Sequence, residues 1–336
     1  NMGMAKKGGT TYELYARVKL FCKRAAAQRI LYKNDILFQS VRPYQRNNYL
    51  FNQGDDLFQY VASTGYIQIR TTLNPYYLFQ LLNTDKINNE VMLRCTGTSY
   101  PAINSNDFSN IVLTITNDRD EQNKIAEFFS LIEERINTQI KIIDTLLSEI
   151  NSIRSLIFNK SSLKWIPLKD IVAEQDIKLK RGKVIPKHKK NLKYIYPVYS
   201  SSITNSGLMG YSDSYMFNQE LITWSIDGGG NFFYRKKHKF NITNVSGYMI
   251  LNENLFNYQF IVQSLIWQHE KLKFDYQTKA HPSVVESLYK IPIMDLEEQH
   301  KYACLFSNLN EKYELELHIL DLLNMQKKYL LKNMFV

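Results

Sequence analysis

Two groups of side chains in this sequence are spaced for contact with a polyanion. The first is the run Arg42-Pro43-Tyr44-Gln45-Arg46, which follows an apolar stretch over 35–41. Arginine carries a planar fork of N–H donors that matches O6 and N7 of guanine, and glutamine or asparagine matches N6 and N7 of adenine. Arg42, Gln45 and Arg46 are therefore candidate base readers, joined by Asn231 in a second loop, Asp227-Gly228-Gly229-Gly230-Asn231. A solvated hairpin tip is the alternative, because most contacts at such interfaces go to phosphate. The second group is lysine-rich. Residues 177–193 hold Lys178, Lys180, Arg181, Lys183, Lys187, Lys189, Lys190 and Lys193 with no acid among them. Together with Arg235-Lys236-Lys237-His238-Lys239 they read as phosphate contacts, which position a protein without carrying sequence information. A charged, solvated surface loop is the ordinary alternative for such a run.

The overall charge says the same less sharply. Lys plus Arg number 42 and Asp plus Glu 32, a net +10 with a pI near 9.2, which suits nucleic acid or a membrane surface. The excess is local. Residues 1–50 carry ten Lys/Arg, with Lys19, Lys23 and Arg24 as further phosphate candidates, against Glu13 and Asp35. That segment and 177–193 are each +8, so the remainder of the chain is net −6. A membrane loses ground because no basic amphipathic surface helix or lipid anchor is present. No apolar run reaches the length of a membrane span and residues 1–20 lack a secretory core, so a cytoplasmic protein is expected. Cys22, Cys95 and Cys304 are odd in number and far apart, which fits neither a disulfide framework nor zinc-ribbon spacing.

Catalytic chemistry finds little footing. Asn74-Pro75-Tyr76-Tyr77 nearly spells the Asn-Pro-Pro-Tyr motif of adenine methyltransferases, but no glycine-rich strand–loop–helix precedes it. The sequence suits an N-cap followed by proline at the first helical position. Gly228-Gly229-Gly230 lacks phosphate-loop spacing, and the six histidines occur singly without metal-ligand spacing. Glu133-Glu134 and Glu270-Lys271 read as solvated helix faces rather than general acids. No catalytic residue, metal site or cofactor is assigned to this chain.

The elements that position these groups come in two copies. A chain of 336 residues with 44% apolar residues can bury two cores. Thr64-Gly65-Tyr66 matches Ser246-Gly247-Tyr248, and Leu73, Tyr76 and Leu78 match Leu255, Tyr258 and Phe260, all at a shift of 182. Glu121-Gln122 falls on Glu298-Gln299, Phe129 on Phe306 and Phe158 on Phe335 as the shift drifts to 177. Earlier, Asp35-Ile36-Leu37 pairs with Glu220-Leu221-Ile222, and Asn74-Pro75-Tyr76-Tyr77 with Phe256-Asn257-Tyr258-Gln259. A repeat of about 180 residues is too long for a solenoid and implies two homologous domains. The second copy starts near Trp165, and the same shift puts the first copy's start before residue 1, so residues are expected to be missing there.

Each copy closes with a heptad seam. In the first it runs through Phe129, Ile132, Ile136, Ile143, Leu146 and Ile150, interrupted at Gln139. In the second it runs through Phe306, Leu309, Tyr313, Leu320, Leu323 and Leu330 to Met334, with Glu316 and Lys327 as its polar members. Helices of about 38 residues, each about 57 Å long, need a partner for so narrow a stripe, and the other copy supplies one. Copies related by a pseudo-twofold axis would run these helices antiparallel and set the globular parts at opposite ends. Packing of each helix on its own domain is the alternative. Strands over 221–226 and 248–251 and a helix through Leu82 make each globular part α+β, in four segments: 1–117, a helix over 118–160, 161–295, and a helix over 296–336.

These residues resemble the specificity subunit of a type I restriction–modification enzyme. The likeness rests on Glu121-Gln122 and Glu298-Gln299 opening the long helices and on Ile157-Phe158 and Met334-Phe335 ending them. It extends to Thr98-Ser99-Tyr100-Pro101-Ala102-Ile103 with Phe108-Ser109-Asn110-Ile111, and to Lys279-Ala280-His281-Pro282-Ser283-Val284 with Leu288-Tyr289-Lys290-Ile291. Pro197-Val198-Tyr199-Ser200-Ser201 with Gly207-Leu208-Met209-Gly210-Tyr211 resembles one subtype of recognition domain. The similarity covers nearly the whole chain and departs at its start.

The resemblance implies two target-recognition domains in tandem that read the halves of a bipartite, asymmetric double-stranded DNA site. It implies an antiparallel helical pair that sets their spacing and holds two methyltransferase subunits, to which restriction–translocase subunits can add. The implied chain is non-catalytic and holds neither metal nor cofactor, S-adenosylmethionine belonging to the methyltransferase. A coiled-coil DNA-organising or regulatory protein without an enzyme partner is the reading in a different class, and a self-sufficient endonuclease or methyltransferase is a third.

Overall fold

The computed structural model describes residues 29–53, 59–202, 204–227, 229–272 and 279–335. Lys19, Lys23, Arg24, Cys22 and Gly228 lie outside them. The chain divides into two compact units, 1–143 with 316–336, and 144–315.

In the first unit β1 (Arg29–Ile30) pairs antiparallel with β4 (Val61–Ala62). Strand β2 (Ile36–Gln39) lies between β3 (Tyr49–Leu50) and β5 (Tyr66–Ile69) in an antiparallel sheet. The pleat sends Ile36 and Phe38 to one side and Leu37 to the other. Ile36 and Phe38 join Ile67, Leu78, Leu81, Ile87 and Val91 in the main core, whereas Leu37 packs with Phe51, Tyr60 and Ala62. Helix α1 (Pro75–Leu82) starts where the sequence predicts, with Asn74 Oδ1 accepting from Tyr76 N at 2.9 Å and Tyr77 N at 3.1 Å. Thr84 caps α2 (Asp85–Leu93), α3 (Ser105–Ser109) follows, and α4 (Arg119–Phe158) is the first long helix.

In the second unit β6 (Lys164–Pro167) and α5 (Leu168–Ala173) precede a six-stranded sheet. Its strands are β7 (Ile177–Arg181), β8 (Tyr196–Tyr199), β9 (Leu208–Ser212), β10 (Phe217–Ser225), β11 (Phe232–Ile242) and β12 (Ser246–Leu251). Their spatial order is β7-β12-β10-β11-β8-β9, with only β11 and β8 parallel. Helices α6 (Tyr258–Lys271) and α7 (Pro282–Leu288) and strand β13 (Lys290–Ile293), which pairs with β6, complete the globular part before α8 (Leu296–Met334). Ile222, Trp224, Phe232, Met249 and Phe260 form its core. Gly247 faces Trp224 across the ladder, and a β-carbon there would fall 2.1 Å from the indole ring, so only glycine fits.

The duplication holds with two one-residue corrections. Gln39 pairs with Tyr66 and Thr223 with Tyr248, so Leu37 corresponds to Leu221 rather than to Ile222. Leu221, like Leu37, lies in the smaller cluster, while Ile222, like Phe38, lies in the main core. Asn74 likewise corresponds to Asn257, which caps α6 by accepting from Phe260 N at 3.0 Å. Both cap residues are held from outside by the glutamine that helps open each long helix. Gln122 Oε1 accepts from Asn74 N at 3.0 Å and Gln299 Oε1 from Asn257 N at 2.9 Å, and both glutamines are buried.

The long helices run antiparallel. In the first unit Phe129 stacks on Phe335 at 5.9 Å, Glu133 pairs with Lys327, and Gln139 meets Glu316. Ile132, Ile136, Ile143, Leu146, Ile150, Leu309, Tyr313, Leu320, Leu323 and Leu330 are buried or half-buried along the seam. Its last member is Phe335 rather than Met334, which is 38% exposed. Phe335 packs on Tyr77 at 5.5 Å and the equivalent Phe158 packs on Phe260 at 5.4 Å. Each long helix thus starts on the core of its own copy, at Phe129 or Phe306, and ends in the core of the other. Packing on its own domain describes only the first part of each helix.

Candidate nucleic-acid interface

The loop after β2 is folded by its own polar network. Arg42 and Arg46 flank a 3-10 turn, Pro43–Gln45, and both adopt the left-handed region, at φ 55° and 53°. That conformation costs a residue with a β-carbon on the order of 1 kcal/mol and persists only where neighbours enforce it. Gln39 Nε2 donates to Gln45 Oε1 at 3.0 Å, and Gln39 Oε1 accepts from Asn47 N at 3.0 Å. Asn48 Oδ1 accepts from Gln39 N at 2.8 Å, while its Nδ2 donates to Asn83 Oδ1 at 2.9 Å. Arg46 Nη2 donates to Asp85 Oδ1 at 2.6 Å, which ties the loop to the start of α2 and holds the Asp85 carboxyl below its ordinary range.

Arg42 is arranged differently from Arg46. Its backbone N–H donates to Pro101 O at 2.7 Å, and its guanidinium carbon lies 4.2 Å from the centroid of the Tyr100 ring. Among the described residues its N–H fork meets no acceptor. Tyr44 and Tyr100 beside it are 50% and 64% exposed. Gln45 is exposed, with its side-chain oxygen engaged by Gln39.

The second unit holds its loop by other means. Between β10 and β11, Gly229 and Gly230 have φ 86° and 79°, and a β-carbon on Gly230 would lie 3.1 Å from His269 Cε1. Ala280 N donates to Ile226 O at 2.9 Å, and Lys279 Nζ lies 3.2 Å from Asp227 Oδ1. His269 Nδ1 is 2.7 Å from Tyr289 Oη, and burial pushes its imidazole pKa down. Asn231 is half-buried, and its carbonyl accepts from Ser225 N at 3.1 Å. Each loop therefore leans on the segment before the next short helix, residues 100–102 in one unit and 279–281 in the other. Sequence reasoning placed both segments in the resemblance but gave them no part in the site.

The lysine run starts on the edge strand β7. Lys178, Lys180 and Arg181 are exposed there opposite Ile250, Tyr248 and Gly247 of β12. Charge on an edge strand also prevents pairing with a foreign strand, so the position alone does not make these phosphate ligands. Lys183, Lys187, Lys189 and Lys190 are exposed in the segment that follows, in which the His188 ring stacks on Tyr194 at 3.9 Å. Lys190 Nζ lies 5.5 Å from the Tyr211 ring and Lys239 Nζ 4.8 Å from that of Tyr215. At both places a lysine lies beside an aromatic ring.

The second basic cluster does not act as a block. Arg235 is buried, stacked 3.8 Å from the Tyr199 ring centroid, with Nε donating to Thr223 Oγ1 at 2.9 Å. Burial brings its pKa down to about 10, and it forms no ion pair among the described residues. It is a member of the sheet interior, not a surface phosphate contact. Lys236 is exposed and bonded to Glu311 at 2.7 Å, and Lys237 is exposed.

The residues weighed for catalysis have structural partners. Asn74 caps α1, Glu133 pairs with Lys327 between the long helices rather than facing solvent, and Glu270 lies 3.2 Å from Arg154. Among the described residues no group of His, Cys, Asp and Glu is arranged to hold a metal ion, and no helix is long and apolar enough to cross a membrane.

The profile of the type I restriction modification DNA specificity domain matches residues 7–147 and again 164–325. A type I specificity subunit of Mycoplasma pneumoniae is 34% identical over 115 residues, covering 32% of this chain and 36% of that protein. A second from the same organism is 28% identical over 170 residues, covering 50% and 45%. The chain thus spans less than half the length of either. The crystal structure of a type I restriction–modification S subunit from M. genitalium superposes with a TM-score of 0.61 at 18% identity, over 91% of this chain and 83% of that one. At that identity the likeness speaks for the fold.

Proposed function

Because the chain belongs to the type I restriction–modification DNA specificity family, with two specificity domains in tandem, we propose that it is the recognition component of a methyltransferase complex and reads a bipartite, asymmetric double-stranded DNA site. The observation that carries this reading is the pair of loops after β2 and β10. They follow equivalent strands and lean on equivalent segments, yet one offers Arg42 and Gln45 and the other Asp227 and Asn231. Equivalent position with different chemistry is what two readers of different half-sites require.

On this reading the exposed lysines of 178–190 and Lys237 contact phosphate, and the paired helices set the distance between half-sites. Leu322, Met325 and Tyr329 of α8 are 48%, 67% and 67% exposed, apolar, and spaced three and four residues apart outside the seam. Such a stripe supports docking of methyltransferase chains along the helices. The partner supplies S-adenosylmethionine and the active site, and flips out and methylates the adenine. This chain then needs no cofactor, and restriction subunits can join the same assembly.

Co-expression with the methyltransferase subunit, followed by sequencing of methylated adenines, tests the proposal. Stoichiometric co-purification and methylation at one two-part motif are expected. Methylation by this chain alone would falsify it, and salt-dependent DNA binding without any methyltransferase partner would favour a stand-alone organising protein.

A further inference from the structure

We infer that Arg42, and not Arg46, is the arginine of the first unit that reads a guanine, and that Tyr100 is the positioning residue that aims it; the inference rests on the DNA-recognition reading above. Arg46 Nη2 is bonded to Asp85 Oδ1 at 2.6 Å, and turning it toward a base would break the bond that ties the loop to the start of α2. Its left-handed backbone and the Gln39, Gln45, Asn47 and Asn48 network make it a clamp for the loop.

Arg42 has the complementary properties. Its guanidinium lies over the exposed Tyr100 ring, 4.2 Å from the centroid, with no hydrogen-bond acceptor among the described residues. The ring face holds the guanidinium by cation–π attraction, which uses none of its N–H donors. Guanine offers the matching pair of in-plane acceptors, O6 and N7, on its major-groove edge. An unrestrained arginine loses rotamer freedom on binding, and a ring that already holds it reduces that loss. The backbone fixes the geometry of the pair. Arg42 N donates to Pro101 O at 2.7 Å and Val41 bridges Ala102, so the chain carrying the ring is bonded to the chain carrying the arginine.

The test uses the full chain in complex with the methyltransferase subunit, reading methylated-adenine motifs in cells and competition binding on duplexes varied one base pair at a time. Arg42→Ala is expected to relax a single G·C pair of one half-site by about tenfold to a hundredfold. Tyr100→Ala is expected to relax the same pair by about threefold to tenfold, and Tyr100→Phe to keep the preference. The double variant should be no more relaxed than Arg42→Ala alone, because Tyr100 acts through Arg42. Affinity for random-sequence DNA and its salt dependence should not change, and intact reading of the other base pairs of the same half-site reports that the first unit of each variant is folded.

Effects of Tyr100→Ala that add to those of Arg42→Ala, or that fall on a different base pair, overturn the positioning role. Loss of preference in Tyr100→Phe overturns it as well, since the ring face is retained. Relaxation at an A·T pair overturns the guanine assignment. A different failure marks the underlying reading: Arg42→Ala that weakens binding to all duplexes equally places the loop on phosphate.

Discussion

Gln139 donates its side-chain amide to both the backbone carbonyl of Glu316, at 3.0 Å, and its carboxylate, at 2.6 Å, and Glu316 occupies the duplicated position of Gln139 itself. These two polar interruptions of the seam therefore satisfy one another. A polar pair in such a seam holds helices in one register at a cost in stability.

Glu316→Leu alone leaves the buried Gln139 amide without its carboxylate and should destabilise the protein by about 1–3 kcal/mol in urea denaturation. Gln139→Leu with Glu316→Leu should recover most of that loss or exceed wild type. A double variant no more stable than the single one would mean that the pair is not a cost to the seam.

Phe335 fills the first unit's core although it belongs to the second copy. Phe335→Ala should cost about 3 kcal/mol. Hydrogen exchange should locate the damage in α1 and α2 and leave α6 protected, while Phe158→Ala should do the reverse. Equal loss of protection in α1 and α6 for both variants would contradict the assignment of each ring to one core.

Seven residues inserted after Gln139, matched by seven before Glu316, keep the antiparallel register and lengthen the pair by about 10 Å. At 3.4 Å per base pair, the gap between half-sites in the methylated motif should grow by about three base pairs while the bases read stay the same. An unchanged gap would reject the helices as the ruler.

Glutamine at Lys178, Lys180, Lys187, Lys189 and Lys190 should weaken binding to all duplexes alike. Each residue that touches phosphate should lower the slope of log affinity against log salt by about 0.9. The methylated sequence should not change, and a change in motif would show that one of these lysines reaches a base.

Burial depresses the His269 pKa, so the folded state prefers the neutral ring and the unfolded state takes up a proton first as pH falls below the ordinary histidine value. Stability should therefore drop on acidification from about pH 6.5 until the depressed folded pKa is reached. Thermal melts at pH 7.5 and 5.5 should show a larger loss for wild type than for His269→Gln. Equal losses in the two proteins would assign the effect to other groups.

Which parts of the molecule were legible in the sequence follows from periodicity and range. The seam could be read because a 3.5-residue period repeats over many turns, and Gln139 and Glu316 stood out as breaks in it. The register of β2 could not. Ile36, Leu37 and Phe38 are consecutive apolar residues because both faces of the strand are covered, so no alternation marks which side faces the main core. Arg42 and Arg46 look alike in a five-residue run, and what separates them is Asp85 and Tyr100, distant in sequence. Arg235 differs from its neighbours for a related reason: Tyr199 and Thr223, distant in sequence, cover it, whereas Lys236 and Lys237 beside it on β11 are exposed.

The exchange of helix ends also bears on how the protein is made. A ribosome completes the first globular part about 220 residues before it reaches Phe335, the ring that stacks on Phe129 in that part's core. At roughly 5–20 residues per second the nascent first domain waits on the order of ten to forty seconds with an apolar socket open. Over that interval the socket is a natural target for a chaperone or for the helix end of another nascent chain, so the speed of translation bears on the yield of correctly closed protein.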